Sequence, residues 1–198
     1  MMGRHLTAAL LATALVFSGC GGDADSSATN ANPDALLVKA NDLLGRVEVG
    51  PPPFEKCDPL PILEGKGGRT AVVGGILYVG VTRLSEAVGV FAGEAQATAA
   101  FKTLSGPKML ECIHNSFDPK LSIDAVGAQP LDLGDESAAA RYKVNGEESE
   151  SLGYLDAVTI RTGPCVASVL VRVDSPTAGG AVSAQLSETV ADRLADGC

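Results

Sequence analysis

The chain has 198 residues, a formal net charge of −9 at pH 7 and 45% hydrophobic residues, enough for one domain with a sizeable core. Its basic residues form no cluster, which argues against nucleic acid or anionic lipid headgroups as partners. Tryptophan is absent and there are only three tyrosines, which weakens a carbohydrate-binding function, because such sites usually need exposed aromatic platforms.

The N-terminus predicts export and a lipid anchor. Residues 6–17 form an apolar run that suits a signal peptide and falls short of the roughly 20 residues that span a bilayer. The segment closes with Ser18-Gly19-Cys20 and resembles a lipobox, with Phe17 in place of the usual Leu. We therefore expect a lipoprotein signal peptide over residues 1–19 and palmitate-bearing lipid on Cys20, which anchors the protein at the extracytoplasmic face of the cell membrane. A plain secretory signal cut nearby is the alternative.

The segment after the anchor predicts a spacer. It reads GGDADSSATNAN, with no aromatic and no branched aliphatic residue. Such a segment buries too little apolar surface to offset its ordering entropy, so we expect residues 20–32 to form a lipidated, flexible tether. Residues 33–198 then form a single extracytoplasmic domain.

The domain opens with a predicted helix. Asn32 is a suitable N-cap, Pro33 suits the first turn, and Asp34 lies near the positive end of the helix dipole. Apolar residues then recur at helical spacing, at Leu37, Ala40, Leu44 and Val47. The run of prolines at 51–53 ends this helix.

Two strands and two helices are predicted next. Residues 69–81 carry no charge after Arg69 and are rich in Val and Ile, which predicts a strand buried on both faces. Within it, Gly74-Gly75 indicates a bulge or a close backbone approach, since neither nucleotide-binding pattern, GxGxxG or GxxxxGK, is present. Residues 86–92 predict a second strand. The helices follow, one with Ala97, Ala100, Phe101 and Leu104 on one face and one that begins at Pro107.

The second half is richer in strands. Residues 140–145 alternate apolar and polar, as in a half-exposed antiparallel strand. Residues 152–161 and 165–173 predict a hairpin around Thr162-Gly163-Pro164. A helix from about Ala181 follows, with Val182, Leu186, Val190 and Leu194 on its apolar side. The predicted fold class is α+β, an antiparallel sheet with helices packed on it.

Four cysteines remain after Cys20, and an even set in an oxidising compartment implies disulfides with three possible connectivities. The strand that begins at Cys165 runs out and the last helix runs back to Cys198, so these two residues are expected to lie side by side. Cys57–Cys112 follows by elimination. A zinc site is the alternative, but the chain has no CxxC pair, and we expect no metal.

Catalytic groups are sparse. His114 is the single histidine after the signal peptide, and no GxSxG elbow supplies a nucleophile, so we predict no catalytic residue and no cofactor. Acidic clusters occur at Asp132, Asp135 and Glu136 and at Glu147, Glu148 and Glu150. They stand in Gly- and Ser-containing stretches without EF-hand spacing, which favours solvated loops over calcium or glycosidase sites.

Five features recur along most of the chain: the lipobox, Ala35-Leu36-Leu37 with Asn41-Asp42-Leu43, Pro51-Pro52-Pro53 before Cys57, Ala99-Ala100-Phe101 ahead of Cys112, and Val190-Ala191-Asp192-Arg193-Leu194. This layout resembles actinobacterial secreted lipoproteins related to the PknH-like extracellular sensor domain. The resemblance implies an α+β domain with two disulfides and a cleft for a ligand of the cell envelope.

The sequence is compatible with three functions. A non-enzymatic ligand-binding or sensor-like lipoprotein predicts a concave site. A module that docks on another envelope protein predicts a flat, exposed apolar patch. A hydrolase requires that His114 meet a serine or a carboxylate in a cleft. We expect the first.

Overall fold

The computed structural model describes residues 30–39, 42, 47–49, 57–77, 82–127, 131–146, 151–173 and 176–198. The predicted signal peptide and Cys20 lie outside these residues, as do most of the predicted tether and the acidic residues Glu147, Glu148 and Glu150. The predictions for those segments therefore stay predictions.

The described residues form one antiparallel sheet of seven strands, in the order β1-β2-β3-β7-β6-β5-β4. The strands are β1 (Val47–Val49), β2 (Arg69–Leu77), β3 (Thr82–Val90), β4 (Ser122–Gly127), β5 (Glu136–Asn145), β6 (Ser151–Thr162) and β7 (Cys165–Val173). The last strand pairs with β3, which joins the two halves of the chain at the centre of the sheet.

Within the described ranges, five helices pack on the sheet: α1 (Pro33–Leu36), α2 (Leu60–Gly65), α3 (Glu94–Leu104), α4 (Pro107–Asn115) and α5 (Pro176–Gly197). On one side, here called the α5 face, α1 and α5 cover Val88, Val158 and Val169. On the other, the α3 face, α2, α3 and α4 cover Leu155, Val166 and Leu170. Because neighbouring residues of a strand point to opposite faces, each central strand supplies both cores. The α+β prediction is confirmed.

The hairpin of β6 and β7 is confirmed. Thr162 pairs with Cys165, so Gly163 and Pro164 form a two-residue loop. Gly163 has φ +52°, which glycine adopts readily at the first central position of such a loop. Three residues predicted for the apolar side of the last helix, Leu186, Val190 and Leu194, lie in one core with alternate residues of β7: Cys165, Ala167, Val169, Val171 and Val173.

Both predicted disulfides are present, and their pairing is confirmed. Cys165 and Cys198 have Cα atoms 6.1 Å apart and join the start of β7 to the C-terminus of α5. Cys57 and Cys112 have Cα atoms 5.8 Å apart and join the segment before α2 to α4. One bridge therefore stabilises the helix on the α5 face and the other the helices on the α3 face.

The prediction of a long first helix is wrong. After Leu36 the chain turns extended, with Leu37 at φ −62° and ψ 143°, and Val47 lies in a strand. The cause is a distant contact, because the Val38 N–H donates a hydrogen bond of 2.9 Å to Oε2 of Glu86 on β3. The burial of residues 36–38 against the sheet outweighs the helical spacing.

Other predictions need smaller corrections. Val72 is 42% exposed, because the helices of the α3 face leave this part of β2 uncovered, so β2 is not buried on both faces. The β2–β3 register continues without a shift through Gly74 and Gly75, which rules out a bulge there. Helix α5 begins at Pro176 rather than near Ala181. The sequence reasoning also missed β1, α2 and β4.

Candidate functional site

A groove lies between α5 and the strands β4 and β5. Helix α5 packs over β6 and β7, so the α5 face of the outer strands remains partly open. The groove has a volume of about 190 Å³. Its apolar wall is formed by Val126, Leu131, Ala139 and Val158, and its polar lining by Arg141, Asp156, Ser183 and Ser187. We call this site the α5 groove.

Small residues of α5 keep the groove open. Gly180, Ser183, Ala184 and Ser187 recur at spacings of three and four, so they share one side of the helix and line the groove together. The helix predicted from about Ala181 already contains three of these residues, and only Gly180 depends on the observed start of α5 at Pro176. A larger side chain at any of these positions would project toward the strands.

An ion pair forms the polar floor of the groove. Arg141 of β5 and Asp156 of β6 are directly opposite in the strand register. Arg141 donates two hydrogen bonds to the carboxylate, from Nε to Oδ1 at 2.6 Å and from Nη2 to Oδ2 at 2.6 Å. These hydrogen bonds raise the pKa of the Arg141 guanidinium. Both residues line the groove, but the Arg141 side chain is 30% exposed and that of Asp156 only 6%, so Arg141 is the more accessible member of the pair.

Two largely buried serines of α5 complete the polar lining. The Ser187 hydroxyl donates a 2.8 Å hydrogen bond to the Ser183 carbonyl, which is a common local contact within a helix. The Ser183 hydroxyl makes no hydrogen bond to any described residue, although Ser183 is only 6% exposed. The groove therefore offers hydroxyl and guanidinium groups next to an apolar wall.

Other cavities are less suited to a ligand. A cavity of about 50 Å³ under α3 and α4 is lined largely by apolar side chains and is about the size of one or two waters. A wider depression of about 430 Å³ lies at the C-terminal end of α5 and is lined by charged residues such as Asp42, Asp192 and Arg193. Arg193 is already bound there, to Asp42 and to the Ala35 carbonyl.

Glu86 is the most unusual buried group of the described residues. Its side chain is fully buried on the α5 face, one carboxylate oxygen accepts the Val38 N–H, and Oε1 has no hydrogen-bond partner. Burial raises its pKa from 4.5 to about 7, although the Val38 N–H and the charge of Arg193 oppose the shift. Glu86 lines none of the cavities described above, so its contact with Val38 is structural.

His114, the histidine considered for catalysis, lies away from the α5 groove. His114 is exposed in the last turn of α4, on the side of the sheet opposite the α5 groove, and has no hydrogen bond to a described residue. In the part of the chain that the structure describes, no group of three or more His, Cys, Asp or Glu residues is placed to hold a metal ion.

The first acidic cluster is more than a solvated loop. Arg161, only 8% exposed, donates to Oε1 of Glu136 at 2.7 Å, to Oδ2 of Asp135 at 3.2 Å and to the Gly163 carbonyl at 2.9 Å. Asp135 also accepts the Gly163 N–H at 2.7 Å. Two of the three carboxylates therefore hold the β6–β7 turn in place, while Asp132 is exposed.

The sequence reasoning missed the residues of the groove. Arg141 was interpreted as part of the polar side of a half-exposed strand. The sequence does distinguish Asp156, because it is the one charged residue between positions 151 and 160 in a largely apolar strand. A charge at such a position requires a partner when it is buried.

The surface of the described residues has no extended apolar patch of large side chains. Val72 and Val126 are the large hydrophobic residues that are exposed, and they lie on opposite outer parts of the sheet, on β2 and β4. None of the helices in the described ranges combines the length and the hydropathy needed to cross a membrane.

No protein-family model and no curated protein matches the chain. Among solved structures, the chain is similar to the extracellular domain of PknH from Mycobacterium tuberculosis, with 14% sequence identity and a TM-score of 0.42. The likeness covers 74% of this chain and 78% of that chain. It is a weak likeness, and neither a ligand nor a location for this protein follows from it.

Proposed function

We propose that this protein is a lipoprotein of the cell envelope whose extracytoplasmic domain binds a small ligand without converting it, as a binding protein or sensor-like domain. The α5 groove carries the proposal. It combines a concave apolar wall with a guanidinium and a hydroxyl group that have unused hydrogen-bond donors, which is the usual composition of a small-molecule site.

The lipid anchor is the second part of the proposal. It is supported by the apolar run at residues 6–17 and the small residues before Cys20. The two disulfides suit an oxidising compartment outside the cytoplasm. The anchor is tested by growing cells that express the full chain with labelled palmitate. We expect label in the wild-type protein and none in Cys20→Ser. Equal label in both proteins would show that Cys20 is not the lipidated residue.

A docking module is less well supported. Such a function requires a flat apolar surface, whereas the exposed large hydrophobic residues of the described chain are two separated valines. The groove instead provides a concave site with specific polar groups.

Native mass spectrometry tests the ligand-binding function. The full chain with Cys20→Ser is exported, purified under mild conditions and compared with the same chain carrying Ala184→Phe. Ala184 is exposed and lines the groove, so a phenylalanine there fills the site without entering the core. Ala195→Phe is the matched control, because Ala195 is also exposed on α5 and does not line the groove.

We expect an added mass that dissociates on activation in the parent chain and in Ala195→Phe, and a bare chain in Ala184→Phe. A bare parent chain that also takes up no compound from an envelope extract would contradict the proposal. The same added mass in all three chains would place the ligand elsewhere.

A further inference from the structure

The guanidinium of Arg141 is only partly used within the protein. A guanidinium carries five N–H donors in a planar fork. Asp156 accepts one from Nε and one from Nη2, and no other described residue accepts a hydrogen bond from Arg141. Three donors, including both on Nη1, therefore remain available on the side chain that faces the groove.

Gly180 keeps space beside these free donors. A Cβ atom at this position would lie 3.6 Å from Nη1 and 3.7 Å from Nη2 of Arg141. The nitrogen end of the guanidinium therefore points toward α5, where Ser183 lies one turn further along the helix. The unused Ser183 hydroxyl and the free guanidinium donors line the same groove.

We propose that the α5 groove binds a small aliphatic monocarboxylate, with its oxygens on Arg141 and Ser183 and its chain against the apolar wall. The inference rests on the proposed function and adds the chemical class of the ligand. Hydrogen bonds between a guanidinium and a carboxylate are charge-assisted and about twice as strong as those between neutral groups. A carboxylate therefore uses the free donors better than an alcohol does.

The charges of Arg141 and Asp156 favour a ligand that carries a single negative charge. Asp156 already carries a negative charge against Arg141, and its side chain is only 6% exposed. A dianion such as a phosphate monoester would bring a second charge close to this buried carboxylate, where like charges repel strongly. A dianion is also attracted more strongly by Arg141, but its desolvation cost rises with the square of its charge, so a monocarboxylate enters the groove at a lower cost.

The size of the groove sets the length of the chain. An apolar cavity of about 150 Å³ holds a benzene ring. The α5 groove, at about 190 Å³, therefore suits a ligand slightly larger than benzene. Hexanoate has about this size, and its alkyl chain can lie along Val126, Leu131 and Val158.

Isothermal titration calorimetry of the full chain with Cys20→Ser tests the inference, with hexanoate, hexan-1-ol and hexyl phosphate as probes. We expect saturable binding of hexanoate, at least about ten-fold tighter than either of the other probes. Arg141→Lys retains a positive charge beside Asp156 but loses the planar fork, so hexanoate binding falls about ten-fold. Ser183→Ala leaves the ion pair intact and weakens binding about five-fold. Thermal melts of both variants show that the fold is retained.

The outcomes separate the ligand class from the binding function. Hexan-1-ol or hexyl phosphate binding as tightly as hexanoate would overturn the carboxylate class, as would hexanoate binding unchanged in both Arg141→Lys and Ser183→Ala. No binding of any probe would also overturn the class, while the added mass in the native spectrum tests the groove independently. Hexanoate that binds equally well to Ala184→Phe would show that it binds outside the α5 groove, which would overturn the monocarboxylate assignment and leave the ligand-binding function to the native spectrum.

Discussion

Glu86 is the residue whose charge state most affects the stability of the fold. The folded state raises the pKa of its carboxyl from 4.5 to about 7, because the side chain is fully buried and only one of its oxygens is hydrogen-bonded. The folded protein therefore holds the proton more tightly than the unfolded chain does. The free energy of unfolding consequently falls as the pH rises from 4.5 to about 7, and the loss persists above pH 7.

We predict that Glu86 accounts for a loss of about 3 kcal/mol in the free energy of unfolding between pH 4.5 and pH 8. Urea-induced unfolding across this range measures the loss. Glu86→Gln, which cannot ionise, should flatten the profile. Glu94→Gln is the control, because Glu94 is exposed on α3 and its removal should leave the slope unchanged. If the free energy of unfolding falls equally with pH in the wild type and in Glu86→Gln, the buried carboxyl does not titrate between pH 4.5 and pH 8.

Gly180 affects both the stability of α5 and the shape of the groove. It lies within the helix, where glycine is about 1 kcal/mol less favourable than alanine. The added Cβ of an alanine would make only ordinary contacts with the Arg141 nitrogens, at 3.6 and 3.7 Å. Nothing in the described fold therefore requires glycine at this position for stability.

We predict that Gly180→Ala raises the free energy of unfolding by about 0.5–1 kcal/mol while it narrows the groove. Urea-induced unfolding at pH 7 measures the gain. Ala184→Phe should show little change in stability, because its side chain lies at the surface. A loss of stability in Gly180→Ala would show that the guanidinium and the helix are closer than the structure has them.

At the scale of elements, the central strand pair β3–β7 carries an electrostatic conflict. Arg83 and Arg172 are directly opposite in the register, and neither has an ion pair or a hydrogen bond with a described residue. Like charges that face each other across neighbouring strands are destabilising. Three other arginines of the described residues are bound to carboxylates, namely Arg141, Arg161 and Arg193. Arg83 and Arg172 differ from these three because neither has an acidic partner among the described residues.

We predict that Arg83→Thr raises the free energy of unfolding by about 0.5 kcal/mol, because it removes the repulsion and places a β-branched residue in a strand. Chemical denaturation in low and high salt provides the measurement, and the gain should shrink when salt screens the charges. Arg83→Lys, which keeps the charge, should show no gain. A gain of equal size in Arg83→Lys would mean that charge is not the cause.

The elements differ in how far the sequence could predict them. The helices α3 and α4 and the β6–β7 hairpin were predictable, because their spacing, turn residues and burial are local. The end of α1 was not, since it depends on a contact between Val38 and Glu86, 48 residues apart. Strand β4 escaped prediction because it is short, lies at the edge of the sheet and is mostly exposed, which removes the alternation that identifies a strand.

The groove could be predicted only in part. Asp156 is a charge in a largely apolar strand, and this indicates a buried partner. The choice of Arg141 as that partner depends on the β5–β6 register, which residue patterns alone do not define. The part played by Ser183 also depends on where α5 lies over the sheet. The disulfide pairing was predictable because it required only the direction of the last strand and helix.

At the scale of the whole molecule, the two disulfides act on opposite sides of one sheet. Cys165–Cys198 closes a loop with a sequence separation of 33 residues on the α5 face, and Cys57–Cys112 closes one of 55 residues among the helices of the α3 face. In the chain-entropy account, loops of these lengths each contribute about 4 kcal/mol to stability. The two contributions should therefore be similar.

We predict that Cys165→Ala/Cys198→Ala and Cys57→Ala/Cys112→Ala each lower the free energy of unfolding by about 4 kcal/mol. Urea-induced unfolding of the two double variants measures both losses under identical conditions. The wild type under reducing conditions should lose more than either variant. A loss below about 1 kcal/mol in one variant would show that the corresponding helix is held by packing alone.

A crystal structure of the full chain with Cys20→Ser, purified from exporting cells without added ligand, would show whether the α5 groove holds a ligand. We expect electron density for a bound molecule between α5 and strands β4 and β5, in contact with Arg141. The same crystals of Ala184→Phe should lack it. Density for a ligand at another site, with only water in the α5 groove, would show that this groove is not the binding site.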